Sequence, residues 1–307
     1  MPELPDITIY LEALSSRVLS HTLEKVRLAN PFLLRTVEPA PRDIEGKRVE
    51  ALRRIGKRIV FAFEDELFLV VHLMIAGRFK WKEQRSARLQ PGVPGTGGLK
   101  PAATFAGLAA FDFDNGTLVL TEAGSKRRAS LHIVRGEDAL RALNPGGIDV
   151  LDATPQQFRD ALARERHTLK RTLTDPHVFS GIGNAYSDEI LHRARLSPVQ
   201  MTTNLDDEAH DRIYRATRET LLEWIDRLRA ETGSGFPEKV TAFRPEMKVH
   251  GKFGQPCPDC GTPVQHIVYA ENETNYCARC QTGGRLLADR ALSRLLKGDW
   301  PRSIDEL

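Results

Sequence analysis

The spacing of apolar residues changes along the chain, and each spacing predicts a different kind of element. Near the start, apolar residues recur every three or four positions, which is the period of a helix with one buried face. The residues at this spacing are Ile7, Tyr10, Leu11, Leu14 and Val18. We therefore expect a helix directly after the N-terminal segment, and this helix would hold that segment against a core.

A series of short apolar runs follows this helix, and each run is long enough for one strand. The predicted strands cover residues 23–28, 48–52, 59–63, 67–73, 78–81, 108–113, 117–121 and 131–134. Asn115 and Gly116 both tolerate positive φ, so this pair predicts a hairpin turn. Strands that follow a single helix favour a β-sandwich over alternating βαβ units. The stretch 84–103, rich in Gly, Pro and basic residues, predicts a mobile loop.

The pattern becomes helical in the second half of the chain. Residues 144–147 have the composition of a linker, and Thr154-Pro155-Gln156-Gln157 then predicts the start of a helix. Thr154 would be the N-cap, and Gln157 would reach back to it in a capping box. Further helices are predicted over residues 169–173, 186–194 and 208–229.

Composition sets broad limits on the kind of protein. The chain has 307 residues, enough for two domains with sizeable cores, and a formal net charge of only +3. So weak an overall charge gives little evidence for nucleic-acid binding, and local basic clusters have to carry that argument. The start is acidic and proline-containing, unlike a signal peptide, and the longest apolar run, 67–77, is too short to span a bilayer. We therefore expect a soluble, cytoplasmic protein that does not enter membranes.

The first six residues, Met1-Pro2-Glu3-Leu4-Pro5-Asp6, contain two groups that can take part in covalent chemistry. Removal of Met1 would leave Pro2 with a free secondary amine, and a pKa of roughly 8 keeps part of such an amine uncharged at neutral pH. An uncharged amine can attack C1′ of a sugar and form a Schiff base. Glu3 follows directly and could act as a general acid or base. The alternative is an extended, proline-rich start without a catalytic role.

Basic residues gather at a tight turn around Gly56. The residues that surround this glycine are Arg53, Arg54, Lys57 and Arg58. They form either a solvated turn or a phosphate-contacting cluster that brings Lys57 towards the N-terminal amine. A second basic run, 126–128, precedes another strand and could equally be an ordinary solvated loop.

The sequence Gly181-Ile182-Gly183-Asn184 stands between two predicted helices. The glycines allow a turn whose backbone N–H groups point outward, and Asn184 can cap the helix that follows. A helix N-terminus of this kind suits a phosphate group. A Gly-x-Gly pair is a weak signal by itself, and an ordinary interhelical turn explains it at least as well.

All four cysteines lie in two C-x-x-C pairs near the C-terminus. Sixteen residues separate the pair Cys257 and Cys260 from the pair Cys277 and Cys280. Each pair supplies two thiolates from a tight knuckle, and together the pairs make a closed tetrahedral site for one structural Zn²⁺. A redox role fits less well, because neither pair lies in a βαβ context. Cysteines that are all committed to a metal fit a reducing compartment.

Three features occur in a fixed order: Pro2-Glu3-Leu4-Pro5, the turn at 181–184 and the C-terminal four-cysteine ribbon. Together they closely resemble the formamidopyrimidine-DNA glycosylase and endonuclease VIII family of base-excision repair enzymes, over residues 2–281. The resemblance implies an α+β protein, with an N-terminal β-sandwich and flanking helices followed by a helix–two-turn–helix domain with a zinc ribbon. It also implies a monomer that binds double-stranded DNA containing damaged bases or abasic sites, with the damaged nucleotide flipped into the cleft between the domains.

The resemblance also implies roles for single residues. Pro2 would be the nucleophile that expels the base, and Glu3 would move protons while the sugar ring opens. Lys57 would hold phosphate near the lesion, and Lys170 and Asn184 would contact phosphate from the helical domain. After base loss, the Schiff base would allow elimination of the 3′ and then the 5′ phosphate. The implied activity is that of a bifunctional DNA glycosylase and abasic-site lyase.

Several positions depart from the family pattern. Asp6 stands where glutamate is usual. Ile75 falls where the family inserts a methionine into the vacated space, and it could still serve as an apolar wedge. Arg127 corresponds to the arginine that pairs with the orphaned base, but Arg128 replaces the phenylalanine beside it. Asn272 stands where the family has a phosphate-binding arginine. These departures leave open the alternative of a DNA-binding protein with reduced or lost catalysis.

The resemblance divides the chain into four parts. We expect a catalytic β-sandwich domain over residues 1–145, a helix–two-turn–helix domain over 150–235, a zinc ribbon over 248–282 and a helical extension over 283–307. The extension goes beyond the usual end of the family, and its apolar residues between 286 and 296 have helical spacing. The sequence does not distinguish oxidised purines, oxidised pyrimidines and other lesions as the substrate.

Overall fold

The computed structural model describes residues 1–83, 106–123, 127–238, 240–269, 272–288, 295 and 301–306. The loop predicted over residues 84–103 lies outside these ranges. Within them, one helix and eight strands come first along the chain. These elements are α1 (Leu4–Val18), β1 (Thr22–Leu28), β2 (Lys47–Ile55), β3 (Arg58–Phe63), β4 (Leu67–His72), β5 (Gly77–Glu83), β6 (Ala109–Phe113), β7 (Gly116–Glu122) and β8 (Ser130–Arg135). All eight predicted strands are present, and their ends differ from the prediction by at most three residues.

The eight strands form one antiparallel sheet that folds into two facing layers. The strand order is β5-β7-β6-β1-β2-β3-β4-β8, and only two residue pairs join β1 to β2. Side chains from both halves share one buried core. For example, Phe61 of β3 and Phe79 of β5 meet edge to face with their ring centres 6.5 Å apart. The predicted β-sandwich is therefore confirmed, with the short β1–β2 pairing as the corner between its layers.

Strand β3 is buried on both faces, which explains why its sequence is apolar throughout rather than alternating. Ile59 and Phe61 pack inside the sandwich, whereas Val60 packs in a second cluster with Leu140. Leu140 belongs to α2 (Glu137–Ala142), a helix of six residues that the sequence did not predict. A helix this short has too few residues to show a helical period in its apolar positions.

The hairpin between β6 and β7 turns one residue earlier than predicted. Phe113 pairs with Gly116, so Asp114 and Asn115 form the turn and Gly116 belongs to β7. The reason for glycine at this position is space. A Cβ on residue 116 would lie 2.4 Å from the ring of Trp81, which covers the strand here.

Four helices follow in the second part of the chain. They are α3 (Pro155–Ala163), α4 (Leu169–Thr174), α5 (Asn184–Ala194) and α6 (Asp207–Thr232). The predicted capping box of α3 is present, because the Gln157 N–H donates to Thr154 Oγ1 and the Thr154 N–H donates to Gln157 Oε1. A second apolar core joins these helices.

Helix α1 belongs to both cores and places the N-terminus between them. Ile7 and Tyr10 pack inside the sandwich, whereas Leu4 and Ile9 pack among the helices of the second part. The residues before Leu4 therefore lie where the two parts of the protein meet.

The C-terminal part is a small ribbon followed by a short helix. Its elements are β9 (Gln265–Tyr269), β10 (Asn272–Tyr276) and α7 (Ala278–Thr282). Contrary to the prediction for the extension, Leu286 and Leu287 are not helical. They pack with Ile304 around Tyr276, whose hydroxyl oxygen accepts the Leu287 N–H at 2.8 Å. The rest of the predicted helix lies almost entirely outside the described residues. Among the helices that the structure describes, none is long and apolar enough to cross a membrane.

Candidate active site and metal centre

The segment before α1 is fixed by backbone contacts on both sides. Pro2 and Glu3 are buried. The Glu3 N–H donates to Asp6 Oδ2 at 2.9 Å, a bond typical of the first turn of a helix. The Leu4 N–H donates to Gly181 O at 2.9 Å and ties this segment to the glycine turn before α5. Two of the three motifs of the resemblance, the N-terminal segment and the glycine turn, are therefore in direct contact.

The carboxylate of Glu3 lies at the N-terminus of α5. It accepts the backbone N–H groups of Gly183 at 2.6 Å, Ala185 at 2.9 Å and Tyr186 at 3.3 Å. These N–H groups have no partner within the helix, and the positive end of the helix dipole attracts a negative group. The anion site that the sequence predicted for a phosphate is thus filled by a carboxylate of the protein itself.

Gly183 leaves the space that this arrangement needs. A Cβ on residue 183 would lie 2.5 Å from Glu3 Oε1 and 2.7 Å from Lys57 Nζ. Because both atoms lie so near one point, the Glu3 carboxylate and the Lys57 ammonium group are close to each other. The glycine at 183 is therefore explained by the close approach of two functional side chains.

We expect Gly183→Ala to displace Glu3 and Lys57 and to slow base excision roughly a hundredfold, the cost of misplacing reacting groups by about 1 Å. Overpacking should also cost roughly 1–3 kcal/mol of stability. The control is Gly233→Ala, at an exposed position with φ +54° where a Cβ meets nothing within 4 Å. That variant should lose stability through backbone strain but keep its excision rate in single-turnover assays. Equal rates for Gly183→Ala and the parent would contradict this assignment.

Lys57 lies at the tip of the β2–β3 hairpin. Ile55 pairs with Arg58, so Gly56 and Lys57 form a two-residue turn, and Gly56 has φ +59°. Burial lowers the pKa of Lys57, Glu3 raises it and Lys170 lowers it. The hairpin tip thus brings one half-buried cation to the carboxylate that fills the α5 terminus.

The three arginines around this turn have other partners. Arg53 pairs with Glu137 and Arg54 with Asp149, and Arg58 donates to the Leu143 carbonyl oxygen. Arg54 also donates to Ser180 Oγ at 3.1 Å, which ties the hairpin to the helical part. The sequence left open whether these arginines belong to a solvated turn or to a phosphate-contacting cluster, and their contacts support neither interpretation. Their described contacts are within the protein and brace the hairpin that carries Lys57.

The N-terminal amine lies in the same surroundings. Burial lowers the pKa of the Met1 amine, Glu3 raises it, and Arg78 and Lys57 lower it again. His72, at the end of β4, has its pKa lowered to about 4 by burial, with Arg58 and Lys57 acting in the same direction. Burial and neighbouring cations therefore favour neutral nitrogen groups here, as a nucleophilic amine requires.

Asn184 and Lys170 make different contacts from those that the sequence suggested. The N-cap of α5 is Gly183, so Asn184 is the first helical residue and not the cap. Its Nδ2 donates to the Glu273 carbonyl oxygen of β10 at 2.7 Å. Lys170 Nζ donates to Asn184 O at 2.7 Å and to Asp188 Oδ1 at 2.6 Å. Phosphate contacts of both residues stay a prediction.

Sequence reasoning missed the acidic side chains of α5 that hold the ribbon. Asp188 Oδ2 accepts the His250 Nδ1–H at 2.8 Å and the Asn275 N–H at 3.2 Å. Glu189 accepts the backbone N–H groups of residues 248–250, at 2.9 to 3.0 Å. Two adjacent acidic residues in a predicted helix carry no signal for such contacts, because every partner is distant in sequence.

Ile75 and Arg127 lie at the same end of the sandwich, because His72 at the end of β4 pairs with Ser130 at the start of β8. Ile75 is 56% exposed at the tip of the β4–β5 turn, and Arg127 is exposed just before β8. The Ala123 N–H also approaches the Ala76 carbonyl oxygen at 3.5 Å. Asn272 pairs with Tyr269 through the backbone, but its side chain lies outside the described part of the chain.

The four cysteines come together as predicted. Their Sγ atoms all lie within 4.8 Å of one another. A tetrahedral site with Zn–S bonds of about 2.3 Å places its sulfur atoms roughly 3.8 Å apart, so this all-thiolate set fits one structural Zn²⁺. His192 of α5 is buried beside the site, with Nε2 3.3 Å from Cys257 Sγ. The zinc would supply no chemistry to the active site and would hold the ribbon against α5.

We expect Cys260→Ser to release the metal and to unfold the ribbon, because four-thiolate sites contribute roughly 10–16 kcal/mol of binding free energy to folding. Metal analysis should then find less than one zinc per chain, and DNA affinity should fall. Unfolding of the N-terminal sandwich serves as the internal control and should be little changed. A metal-free variant with full DNA affinity would exclude the ribbon from the DNA-binding surface.

Comparison with known proteins matches three domains in the same order. The formamidopyrimidine-DNA glycosylase N-terminal domain matches residues 1–100, the formamidopyrimidine-DNA glycosylase H2TH domain matches 148–234, and the zinc finger found in FPG and IleRS matches 254–283. These domains define the class of the protein, a DNA glycosylase fold with an H2TH domain and a zinc finger. The predicted fold class and the single structural zinc site are thereby confirmed.

Relatives of full length narrow the class to one family. A formamidopyrimidine-DNA glycosylase of Thermus thermophilus is 34% identical over 291 residues, which cover 92% of this chain and 100% of the relative. The chain therefore belongs to the formamidopyrimidine-DNA glycosylase family, as the motifs predicted. The predicted domain boundaries and residue roles stay predictions.

Solved structures agree with this assignment. The crystal structure of the MutM (Fpg) protein from Thermus thermophilus superposes with a TM-score of 0.72 at 31% identity, covering 91% of this chain and 98% of that one. Lactococcus lactis Fpg, in a complex with DNA containing an abasic site, gives a TM-score of 0.76 at 22% identity, covering 91% and 99%.

Proposed function

We propose that this protein is a base-excision repair DNA glycosylase that removes damaged bases through an N-terminal proline and then cleaves the abasic site. The observation that carries this proposal is the buried Glu3 carboxylate. It lies directly after Pro2, close to Lys57, and is held by three backbone N–H groups of another part of the chain. Burying a carboxylate is costly, and this one is held at a place where a nucleophile and a cation are also present.

In the first step, the Pro2 nitrogen attacks C1′ of the damaged nucleotide. The bond from C1′ to the base breaks, and the base leaves with the bonding electrons and takes up a proton. The amine then loses its proton, and its lone pair expels O4′ from C1′, while Glu3 would donate a proton to that oxygen. This leaves an iminium ion between Pro2 and C1′, which is the Schiff base.

The iminium ion makes the following eliminations possible because it accepts electrons from C2′. Removal of a C2′ proton expels the 3′ phosphate with the electrons of its bond to C3′. A second elimination removes the C4′ proton and expels the 5′ phosphate with the electrons of its bond to C5′. Water then hydrolyses the imine and restores the Pro2 amine. Lys57 would balance the phosphate charge near the reacting sugar.

We assign DNA contacts to the remaining residues as follows. Ile75 and Arg127 have the exposure that insertion into a duplex requires, and they lie at the same end of the sandwich. Lys170 uses two of the three hydrogens of its ammonium group within the protein, and Asn184 uses one of its two amide hydrogens. Among the contacts that the structure describes, each therefore keeps one donor for a phosphate oxygen. Asn272 would offer a neutral donor to phosphate from the ribbon.

The similar Lactococcus lactis structure was solved with abasic-site DNA, which supports duplex DNA as the partner. A DNA substrate, together with four cysteines that form one metal site, supports a location on DNA in a reducing cytoplasm.

The test is strand cleavage of duplexes that each carry one abasic site, one oxidised purine, one ring-opened purine or one oxidised pyrimidine. We expect cleavage of the abasic-site duplex with phosphate left at both ends of the gap, and of at least one lesion duplex. The pattern among the lesions would define the substrate. Tight binding of the abasic-site duplex without cleavage would instead support the alternative, a DNA-binding protein that has lost catalysis.

A further inference from the structure

Arg244 lies in the segment 240–249, which joins α6 to the ribbon, and its side chain is buried between several elements. Nη2 is 3.2 Å from Asp6 Oδ1, and Nη1 is 3.3 Å from Glu231 Oε2. The guanidinium carbon lies 6.0 Å from the centre of the Trp224 ring. Only 10% of the side chain is exposed, so the two carboxylates balance its charge with little help from solvent.

Asp6 uses its two carboxylate oxygens for different partners. Oδ1 faces Arg244, whereas Oδ2 accepts the backbone N–H of Glu3 at 2.9 Å. Aspartate suits this position because its short side chain reaches the N–H group three residues back along the chain. The bond fixes the backbone directly after residue 2, so Arg244 is only two contacts away from the proposed nucleophile.

The charge of Asp6 depends on Arg244. The carboxyl group is 3% exposed, and burial raises its pKa to about 6, whereas the Glu3 N–H and Arg244 act in the opposite direction. Removal of Arg244 would leave a buried carboxylate without its cation, the costly half of a broken ion pair. Asp6 would then take up a proton at a higher pH and would accept the Glu3 N–H less strongly.

We propose that Arg244 is a positioning residue for the catalytic N-terminus: through Asp6 it fixes the backbone at Glu3 and thereby the direction of the Pro2 amine. The inference rests on the proposed function, because it assigns a role within the Pro2 reaction. Arg244 acts on the rate of the chemical step and leaves DNA affinity unchanged, because it holds the reacting segment and only 10% of its side chain is exposed.

The direction of the pH effect follows from the groups around Asp6. The ionised carboxylate is the form that accepts the Glu3 N–H, so the titration of Asp6 contributes to the acid limb of the rate profile, beside that of the Pro2 amine. Removing the cation that lowers the pKa of Asp6 moves this contribution to higher pH. The groups that face Asp6 are Glu3 and the N-terminal amine on its own segment, Tyr10 on α1, Tyr186 on α5 and Arg244 on the 240–249 segment.

The experiment compares full-length Arg244→Gln, Arg244→Lys and Asp6→Asn with the parent on the abasic-site duplex between pH 5 and 9. For Arg244→Gln we expect the single-turnover rate at pH 7 to fall about tenfold, with the acid limb about one pH unit higher and the Kd for DNA unchanged. Arg244→Lys should restore part of the rate. Asp6→Asn should lower the rate and lose the part of the acid limb that belongs to residue 6, because that position no longer titrates.

The matched control is Arg229→Gln. It breaks an exposed ion pair between Arg229 of α6 and Glu12 of α1, the two helices that Arg244 also contacts. It should keep the parent rate and pH profile. A parent profile for Arg244→Gln, or an equal loss in the control, would overturn the inference. If Arg244→Gln does not fold, the pH profile of Asp6→Asn becomes the test. An acid limb unchanged from that of the parent would then overturn the inference. A parent protein that does not cleave the duplex refutes the proposed function instead.

Discussion

A protein that retains Met1 is expected not to become linked to abasic-site DNA under borohydride, whereas protein that begins at Pro2 is expected to be trapped through residue 2. With Met1 in place, the Pro2 nitrogen belongs to an amide and has no lone pair available for attack on C1′. Trapping should therefore fall to background. The intact mass of each preparation establishes how it begins, and mass spectrometry of the trapped peptide identifies the linked residue.

Lys57 is the residue that could make this prediction fail. Its amine is close to Glu3, and burial lowers its pKa, so it has some of the properties of a Schiff-base lysine. Lys57→Arg keeps the positive charge but cannot form an imine, so it should still be trapped at Pro2. A link found at Lys57, or full trapping of protein that retains Met1, would transfer the nucleophile from Pro2 to the lysine.

Glu3→Gln is expected to lower base excision roughly 10²–10⁴-fold, the usual contribution of a general acid or base. Glutamine cannot move a proton to O4′. The amide nitrogen of glutamine would also face backbone N–H groups whose hydrogen bonds the carboxylate accepts. Each hydrogen bond lost in this way should cost roughly 1–3 kcal/mol of stability. Single-turnover excision measures the first effect, and thermal unfolding measures the second. DNA binding should survive, because the carboxylate repels phosphate.

The matched control for Glu3→Gln is Glu12→Gln, in the helix that Glu3 precedes. Glu12 is 42% exposed and pairs with Arg229 at the surface. Exposed pairs contribute roughly 0–1 kcal/mol, so this variant should keep both activity and stability. If Glu3→Gln excised bases as fast as the parent, the proton-transfer role would pass to another carboxyl group, with Asp6 as the nearest candidate.

The sequence predicted those features that are encoded by short, local patterns of residues. The eight strands, the capping box at Thr154 and the four-cysteine site all follow from short patterns whose partners lie nearby in the chain. The turn at Asp114 was placed one residue too late, because Gly116 is a glycine for a reason that lies on another strand, under Trp81. The failure at α2 has a different cause, since six residues are too few to show a period.

The arrangement of the active site was harder to predict from the sequence, because its contacts join residues that are far apart along the chain. The motifs at Pro2 and at 181–184 were found, but not that the Glu3 carboxylate occupies the helix N-terminus that the glycines create. The contacts of Asp188 and Glu189 were missed for the same reason. A pattern indicates which residues can act, whereas only the packing of the two cores around α1 decides which of them meet.

Because the hydrogen bonds to Glu3 come from the backbone, few substitutions during evolution can break them. The three donors are amide groups of the main chain, so replacing the side chains of Ala185 or Tyr186 leaves those donors in place. They are removed by proline, which has no N–H group, by a residue that alters the path of the chain, or by one that fills the space at Gly183. Most side-chain substitutions at the start of α5 therefore leave the hydrogen bonds to Glu3 intact. The exception is Gly183, where any side chain would occupy the space of the carboxylate. A search for active-site substitutions that considers only side chains would miss the position where a single added methyl group does the most damage.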